Sequence, residues 1–289
     1  MWSQSAFSDV RTPLATLITA PAARGASAAS RLARAVEGVE VVFHHGAVPS
    51  VPRSVAEPER THSVNATGTL GVLEASRAAG VKRVVFASSS SAYGDTPVLP
   101  KVETLPPCPL SPYALQKYTG ERYCQLYHRL YGLETVALRY FNVYGPRQNP
   151  ESEYAAVIPR FATACLAGAA PVVFGDGEQT RDFTFVADAV AANLLAADAP
   201  LAPGEVVNVA GGSRIELREA IRELERLTGR TAILETATGA PGEMPHTYAD
   251  IRRAADLLGW TPKTPLADGL REEIAWVERT EAAGGFSGG

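Results

Sequence analysis

Between Val39 and Tyr140, short apolar, β-branched runs alternate with longer stretches of helical period, and this alternation leaves few folds open to the chain. Val39-Glu40-Val41-Val42-Phe43-His44 reads as a buried parallel strand. A helical segment follows from about Thr61 to Ala79, stopped by Gly80. Val84-Val85-Phe86-Ala87 is the next strand, Pro112 to Tyr131 a long helix closed by Gly132, and Thr135 to Tyr140 a further strand. Strands joined by helices of this length form βαβ units, and their sheet is parallel with helices on both faces. The expected fold class is therefore α/β, a doubly wound parallel sheet.

After Pro150 the pattern loosens. Helical stretches at Tyr154–Leu166 and Val186–Ala197 alternate with short strands at Val172–Phe174 and Val206–Val209. Helices at about Leu217–Leu227, Ile251–Leu258 and Leu266–Thr280 follow. The reading is a sheet domain over residues 37–150 and a smaller C-terminal lobe over residues 151–283, interleaved with the sheet. The Gly-rich tail, residues 284–289, is expected to be disordered.

Residues 1–36 are atypical: rich in Ala, Ser, Thr and Pro, with four arginines and one acid, Asp9. An acid-poor, Arg-containing start has features of an organelle transit peptide. A displaced start, a shifted frame or a truncated gene is preferred, with the segment disordered or mis-framed.

The charge balance narrows the partners. Net charge is −4 and no Lys/Arg run reaches five residues, so nucleic acid and anionic membrane are not expected. No apolar stretch approaches the roughly 18 residues of a bilayer span, and a cytoplasmic location is expected. Cys108, Cys124 and Cys165 form no C-x-x-C pair, which argues against a disulfide framework or zinc site; no metal is expected.

Chemistry gathers at Tyr113 and Lys117, set behind Ser89. Two residues four apart on a helix share a face. An ammonium beside a phenol favours the phenolate, which would lower the Tyr113 pKa toward use as a base. Ser89 ends a strand, where active-site residues of open α/β sheets collect, and could hydrogen-bond the same substrate hydroxyl. Alone, Y-x-x-x-K also describes an ordinary pair on an amphipathic helix.

Three segments give the pattern its context. Phe86-Ala87-Ser88-Ser89-Ser90-Ser91-Ala92-Tyr93-Gly94 is followed by Leu110-Ser111-Pro112-Tyr113-Ala114-Leu115-Gln116-Lys117. Leu138-Arg139-Tyr140-Phe141-Asn142-Val143-Tyr144-Gly145-Pro146-Arg147-Gln148 comes third. In order and spacing they resemble the extended short-chain dehydrogenase/reductases, the NAD-dependent epimerase/dehydratase family. More narrowly they resemble the UDP-N-acetylglucosamine 4-epimerase branch of the UDP-glucose 4-epimerase group, from about Val39 to Trp276.

The resemblance implies a Rossmann-like sheet domain, NAD as cofactor and a UDP-sugar as substrate. It implies 4-epimerisation through a 4-keto sugar, with UDP-N-acetylglucosamine and UDP-N-acetylgalactosamine the preferred pair. Tyr113 would take the proton of the sugar 4-hydroxyl, Lys117 would hold the nicotinamide ribose, and Ser89 would position the 4-oxygen. His45, Gly46, Ala47, Asn65, Ser88, Tyr140 and Phe141 would line the cofactor, with Tyr113 and Lys117. Ser90, Asn142, Gln148, Ala156, Val157, Val173, Phe174, Arg181, Glu243 and Thr247 would meet the substrate, with Ser89. For the apolar members plain core remains the alternative, and for Arg181 a structural ion pair. Related dehydratases carry Thr-Asp-Glu where this chain has Ser89-Ser90-Ser91, and related decarboxylases an acid, so epimerisation is preferred. A homodimer through Thr61–Ala79 and Tyr113–Tyr131 is implied as well.

The chain departs from the family pattern in several places. Before His45 its glycines are Gly25 and Gly38, so no G-x-x-G-x-x-G turn is present for the cofactor pyrophosphate, and the sheet is N-terminally incomplete with an uncovered strand edge. Ala240 and Glu243 replace the Arg and Asp expected around Pro241-Gly242, and Pro49 replaces a glycine of the N-acetyl branch. Thr247 falls where galactose-type enzymes place tyrosine, leaving room for an acetamido group. The alternative is a pseudoenzyme or nucleotide-sugar-binding remnant without stable NAD binding.

Overall fold

A computed structural model describes residues 14–17, 26–148, 157–169, 172–174, 177–231, 235–237 and 246–283. In chain order these form β1 (Leu14–Leu17), α1 (Ala26–Ala35), β2 (Val41–His44), α2 (Val51–Ala56), α3 (Pro58–His62), a π-turn (Ser63–Thr67) and α4 (Gly68–Ala78). Next come β3 (Arg83–Ser89), a 3₁₀ turn (Ser90–Tyr93), α5 (Pro112–Tyr131), β4 (Glu134–Tyr140), β5 (Val143–Tyr144), α6 (Val157–Ala167) and β6 (Val172–Phe174). The rest is β7 (Thr180–Arg181), β8 (Thr184–Phe185), α7 (Val186–Asp198), β9 (Glu205–Val209), β10 (Ile215–Glu216), α8 (Leu217–Thr228), β11 (Glu235–Ala237), α9 (Arg252–Leu258) and α10 (Leu266–Ala282).

The main sheet runs β1-β2-β3-β4-β9, and every neighbouring pair is parallel. Alternate residues of the same strands serve two cores. Val42, Val84, Phe86 and Ala137 meet α4 and α5 on one face. Val41, Phe43, Val85, Val136 and Leu138 meet α7, α9 and Trp260 on the other. This is the expected α/β sheet, covered on both faces, and β9 comes to it from beyond residue 150.

Three expectations are corrected. The edge of β2 is not uncovered: Leu14–Leu17 pairs with Val41–His44 in parallel register. Residues 26–35, inside the stretch expected to be disordered, form α1, whose Leu32 packs into the core under α4. An Ala/Leu/Arg segment with apolar spacing has good helix propensity, and its apolar stripe finds α4 to cover it. The long helix expected over Thr61–Ala79 is broken into α3, a π-turn and α4. Such π-turns mark functional positions, and Asn65 sits inside this one.

Helix α5 has the bounds its sequence indicates. Ser111 caps it by accepting from the Ala114 N–H at 3.2 Å, Pro112 occupies its first turn, and Gly132 ends it at φ +72°. Gly120 is needed for a different reason: a side chain there would collide with the Phe86 ring, so the helix lies directly on β3. Arg83 closes the far end of the sheet. Its buried guanidinium donates to the carbonyls of Ala196, Ala197 and Ala199 at 2.9–3.0 Å, satisfying the C-terminal end of α7.

A third core joins α6, α8 and α10 with Tyr144, Phe183 and Phe185. Glu273 of α10 is fully buried beside it, and neither carboxylate oxygen has a hydrogen-bond partner among the described residues. Burial pushes its pKa from 4.5 up to about 7. Below the unfolded value both states are protonated and nothing is lost. As pH rises through that window the unfolded chain releases the proton first, so stability falls, and the cost is complete above about 7. Glu273→Leu is therefore expected to stabilise the protein by about 2–3 kcal/mol at pH 8 and by much less at pH 4, read by urea unfolding at both. An equal effect at the two pH values would contradict this account of Glu273.

Candidate active site

Parallel strands put their carboxyl ends on one side of the sheet, and Ser89 of β3 lies level with Tyr140 of β4 there. Ser89 caps the 3₁₀ turn, its hydroxyl accepting from the Ser91 N–H at 3.2 Å and from the Ser91 hydroxyl at 2.9 Å. Gly94 ends that turn at φ +62°, where a side chain would strike the Cys108 carbonyl. The first turn of α5 faces this strand end. Tyr113 is anchored by its own N–H, which donates to Ser54 Oγ of α2 at 3.0 Å, and its phenol lies close enough to Ser89 for that side chain to act on its pKa. One turn on, buried Lys117 donates from Nζ to the Ala87 carbonyl at 2.7 Å and lies 5.1 Å from the centre of the Phe86 ring. Ser89, Tyr113 and Lys117 thus converge as their spacing indicates.

The electrostatics differ from the sequence expectation. Burial raises the Tyr113 pKa, and Ser89 offsets only part of that. No lowering by Lys117 operates, because the ammonium points at the Ala87 carbonyl rather than the phenol. Burial also brings the Lys117 pKa down to about 8, against the opposing influence of Cys124 and Glu121. The candidate base is therefore Tyr113 beside Ser89, with Lys117 presenting a buried ammonium one turn on.

Asn65 holds the loop after β2. It accepts from the Val48 N–H at 2.7 Å and donates to the Val48 carbonyl at 3.2 Å and to Gln116 Oε1 at 2.8 Å. Gly46 and Ala47 lie in the loop so fixed. His45 is exposed and shares Asn193 with Tyr140: its Nε2 and the Tyr140 hydroxyl contact Asn193 Oδ1 at 3.0 and 2.9 Å.

Sequence reasoning passed over His44, which faces the opposite way, buried near Lys117. Thr69 donates its hydroxyl hydrogen to the Asn65 carbonyl at 2.6 Å, so it accepts from His44 Nε2–H at 2.9 Å. That leaves His44 Nδ1 as an acceptor with no partner, and burial with Lys117 nearby lowers the His44 pKa to about 3. His44 is neutral at working pH. Glu121, Asn193 and Ser54 were also missed; each acts through tertiary contacts that no local motif announces.

Several expected positions are placed elsewhere. The Phe141 side chain is buried in a core cluster with Tyr93, Ala210 and Ala249. The Ser88 hydroxyl is committed to Glu121 at 2.5 Å. Val157 packs against the C-terminal core. Thr247 is buried and accepts from Asn142 Nδ2 at 3.0 Å and from the Asp182 N–H at 3.3 Å. Asn142 has φ +35° and Arg147 φ +78°, so the loop carrying them stores backbone strain at positions expected to meet substrate. The Gln148 side-chain oxygen is buried without a partner among the described residues, and Arg181 is half-buried, donating to the Thr180 carbonyl at 3.1 Å. Ser90 begins the 3₁₀ turn beside Ser89. Val173 and Phe174 lie on β6, whose side chains, like Ala156 and Glu243, fall outside the described residues.

A parallel sheet with a Ser–Tyr–Lys constellation at its carboxyl end defines an enzyme that oxidises and reduces a substrate hydroxyl with a nicotinamide cofactor. A model of the NAD dependent epimerase/dehydratase family matches residues 22–210, and the chain belongs to that family. It is 40% identical over 236 residues to a UDP-glucose 4-epimerase of Mycolicibacterium smegmatis, covering 81% of this chain and 75% of that protein. It is 37% identical over 243 residues to a UDP-glucuronate 4-epimerase of Thermodesulfobacterium geofontis, covering 82% and 72%. Among solved structures it resembles a UDP-N-acetylglucosamine 4-epimerase of Methanobrevibacter ruminantium, with TM-score 0.82, 39% identity, and 86% and 79% of the two chains covered.

NAD is the cofactor of this family, and the nicotinamide end of the site suits it. Lys117 offers a buried ammonium with hydrogens beyond the one given to Ala87, beside the loop that Asn65 fixes. The segment between β1 and α1, residues 18–25, carries one glycine, Gly25, where the family's phosphate turn carries three. No helix among the described residues is long and apolar enough to cross a membrane.

Proposed function

We propose that the protein interconverts UDP-hexoses at C4, with N-acetylated hexoses among its substrates. The observation that carries this is the placement of Tyr113 beside Ser89, at a strand end where residues 89–91 are all serine. A hydroxyl trio without a carboxylate can hydrogen-bond a sugar hydroxyl while Tyr113 deprotonates it, but holds no acid for eliminating water. NAD, when bound, supplies the acceptor and donor for the C4 hydride. Tyr113 takes and returns the proton of the 4-hydroxyl. Ser89 hydrogen-bonds the 4-oxygen and holds the phenol in line with it. Lys117 donates to ribose hydroxyls from a pocket closed to water.

The relatives' names span glucose, glucuronate and N-acetylglucosamine forms, so the sugar is argued from this chain's own residues. Thr247 is a small side chain tethering Asn142 and Asp182, and a bulky residue there would fill space and break both bonds. Thr247→Tyr is expected to depress turnover of UDP-N-acetylhexosamines about tenfold or more relative to UDP-glucose and UDP-galactose, as overpacking costs about 1–3 kcal/mol. Thr247→Val, which removes the bonds but keeps the volume, should leave that ratio unchanged. Equal losses on both substrate pairs in the tyrosine variant would show that Thr247 is not the gate.

A second copy of the chain completes the proposed assembly. Leu115 is exposed on α5 beside a surface groove formed with Pro58, Glu59, His62 and Thr67. An exposed leucine beside such a groove on α3 and α5 suits pairing of these helices with their symmetry mates.

A further inference from the structure

We propose that Glu121 is a positioning residue for Lys117: it fixes the lysine's surroundings and keeps its amine protonated. The inference rests on the catalytic reading of Lys117 given above.

Glu121 lies one turn beyond Lys117 on the same face of α5 and is almost wholly buried. Three donors hold its carboxylate. Ser88 Oγ donates to Oε1 at 2.5 Å, Arg139 Nε to the same oxygen at 2.7 Å, and Arg139 Nη2 to Oε2 at 2.7 Å. A two-pronged guanidinium and a hydroxyl fix the carboxylate's place and orientation. Ser88 follows Ala87, whose carbonyl receives the Lys117 ammonium, so Glu121 and Lys117 grip consecutive residues of β3.

The pair is itself braced across the sheet. Ser88, Arg139 and Asn208 are register partners on β3, β4 and β9. The Arg139 guanidinium lies 4.5 Å from the centre of the Tyr93 ring, and Tyr93 donates its hydroxyl to Asn208 Oδ1 at 2.7 Å. The row leaves Glu121 no room to turn.

The groups facing Lys117 come from three elements. His44 on β2 is neutral, with its pKa near 3, and His45 next to it also has its pKa lowered, chiefly by burial and in part by Lys117. Phe86 and Ala87 on β3 offer a ring face and a carbonyl. On α5 itself stand Cys124 and Glu121, and burial pushes the Cys124 thiol far above its ordinary value. At neutral pH the thiol is uncharged, which leaves Glu121 as the anion that acts on Lys117. Arg139 on β4 reaches the lysine only through Glu121. With the Lys117 pKa near 8, a modest loss of support makes the amine neutral at physiological pH, and a neutral amine is a poorer hydrogen-bond donor.

The chain has four lysines, Lys82, Lys101, Lys117 and Lys263, so the Lys117 titration can be followed by NMR of ε-¹³C-lysine-labelled protein and assigned with Lys117→Arg. The protein is titrated without NAD or sugar, so the result is independent of whether it epimerises anything. In Glu121→Gln the midpoint is expected to fall by about half a pH unit or more, roughly a threefold lower charged-to-neutral ratio at a given pH. Glu121→Gln combined with Arg139→Met leaves no stranded buried charge and keeps the experiment readable if the single variant folds poorly. It should move the midpoint in the same direction. An unmoved Lys117 midpoint in the folded variants, with only the melting temperature lowered, would reduce Glu121–Arg139 to a structural ion pair and overturn the proposal.

Discussion

Tyr113→Phe is expected to lose 4-epimerisation by at least a hundredfold while its circular dichroism and melting behaviour stay close to the parent's. The tyrosine's anchor is its main-chain N–H on Ser54, which phenylalanine keeps. Only the hydroxyl beside Ser89 is lost. General acid–base catalysis by a positioned group contributes about 10²–10⁴-fold, so its removal should leave little turnover. Because burial raises the Tyr113 pKa, rate should also climb with pH as the phenolate is populated, until Lys117 begins to lose its proton near 8. A variant that keeps more than about a tenth of the parental rate would place the base elsewhere.

The second large effect concerns the cofactor. The purified chain is expected to carry well under one equivalent of NAD, and turnover should depend on NAD added to the assay. Strand β1 ends at Leu17 and α1 begins at Ala26, the place where main-chain N–H groups would meet a pyrophosphate. The joining sequence, Ile18-Thr19-Ala20-Pro21-Ala22-Ala23-Arg24-Gly25, contains one glycine and a proline that has no N–H to give. Two charge-assisted hydrogen bonds forgone, at about 1.5–3 kcal/mol each, weaken binding by roughly a hundredfold or more. NAD released from denatured protein and counted by mass spectrometry decides this. About one equivalent per chain would mean that the pyrophosphate is held by contacts other than a glycine turn.

The sheet and α5 were legible in the sequence because their signals are local. β-branched runs at Val41–Phe43 and Val84–Phe86, the Ser111–Pro112 start and the Gly132 stop each act within a few residues. The Ser89–Tyr113–Lys117 convergence followed from one helical turn and one strand end. What the sequence hid depends on chain segments far apart. The π-turn around Asn65 serves contacts with Val48 and Gln116 that helical periodicity does not register. The pairing of Leu14–Leu17 with β2 places a strand where composition suggested none. Lys117 was expected to act on the phenol, but the nearby Ala87 carbonyl takes its ammonium, a choice that spacing on one helix cannot foretell. The packing of the Phe141 side chain with Tyr93, Ala210 and Ala249 was likewise hidden, because those neighbours are distant in sequence.

The central claim is that this chain inverts C4 of a UDP-sugar, with Tyr113 as the base. The most direct measurement incubates the purified protein with excess NAD and UDP-N-acetylglucosamine and follows the anomeric proton signals by NMR, with Tyr113→Phe in parallel. The account expects UDP-N-acetylgalactosamine to accumulate to a stable ratio in the parent sample, the same ratio to be reached from the opposite epimer, and neither to change in the variant. No interconversion of this pair, of UDP-glucose with UDP-galactose, or of UDP-glucuronate by a folded protein saturated with NAD would contradict it.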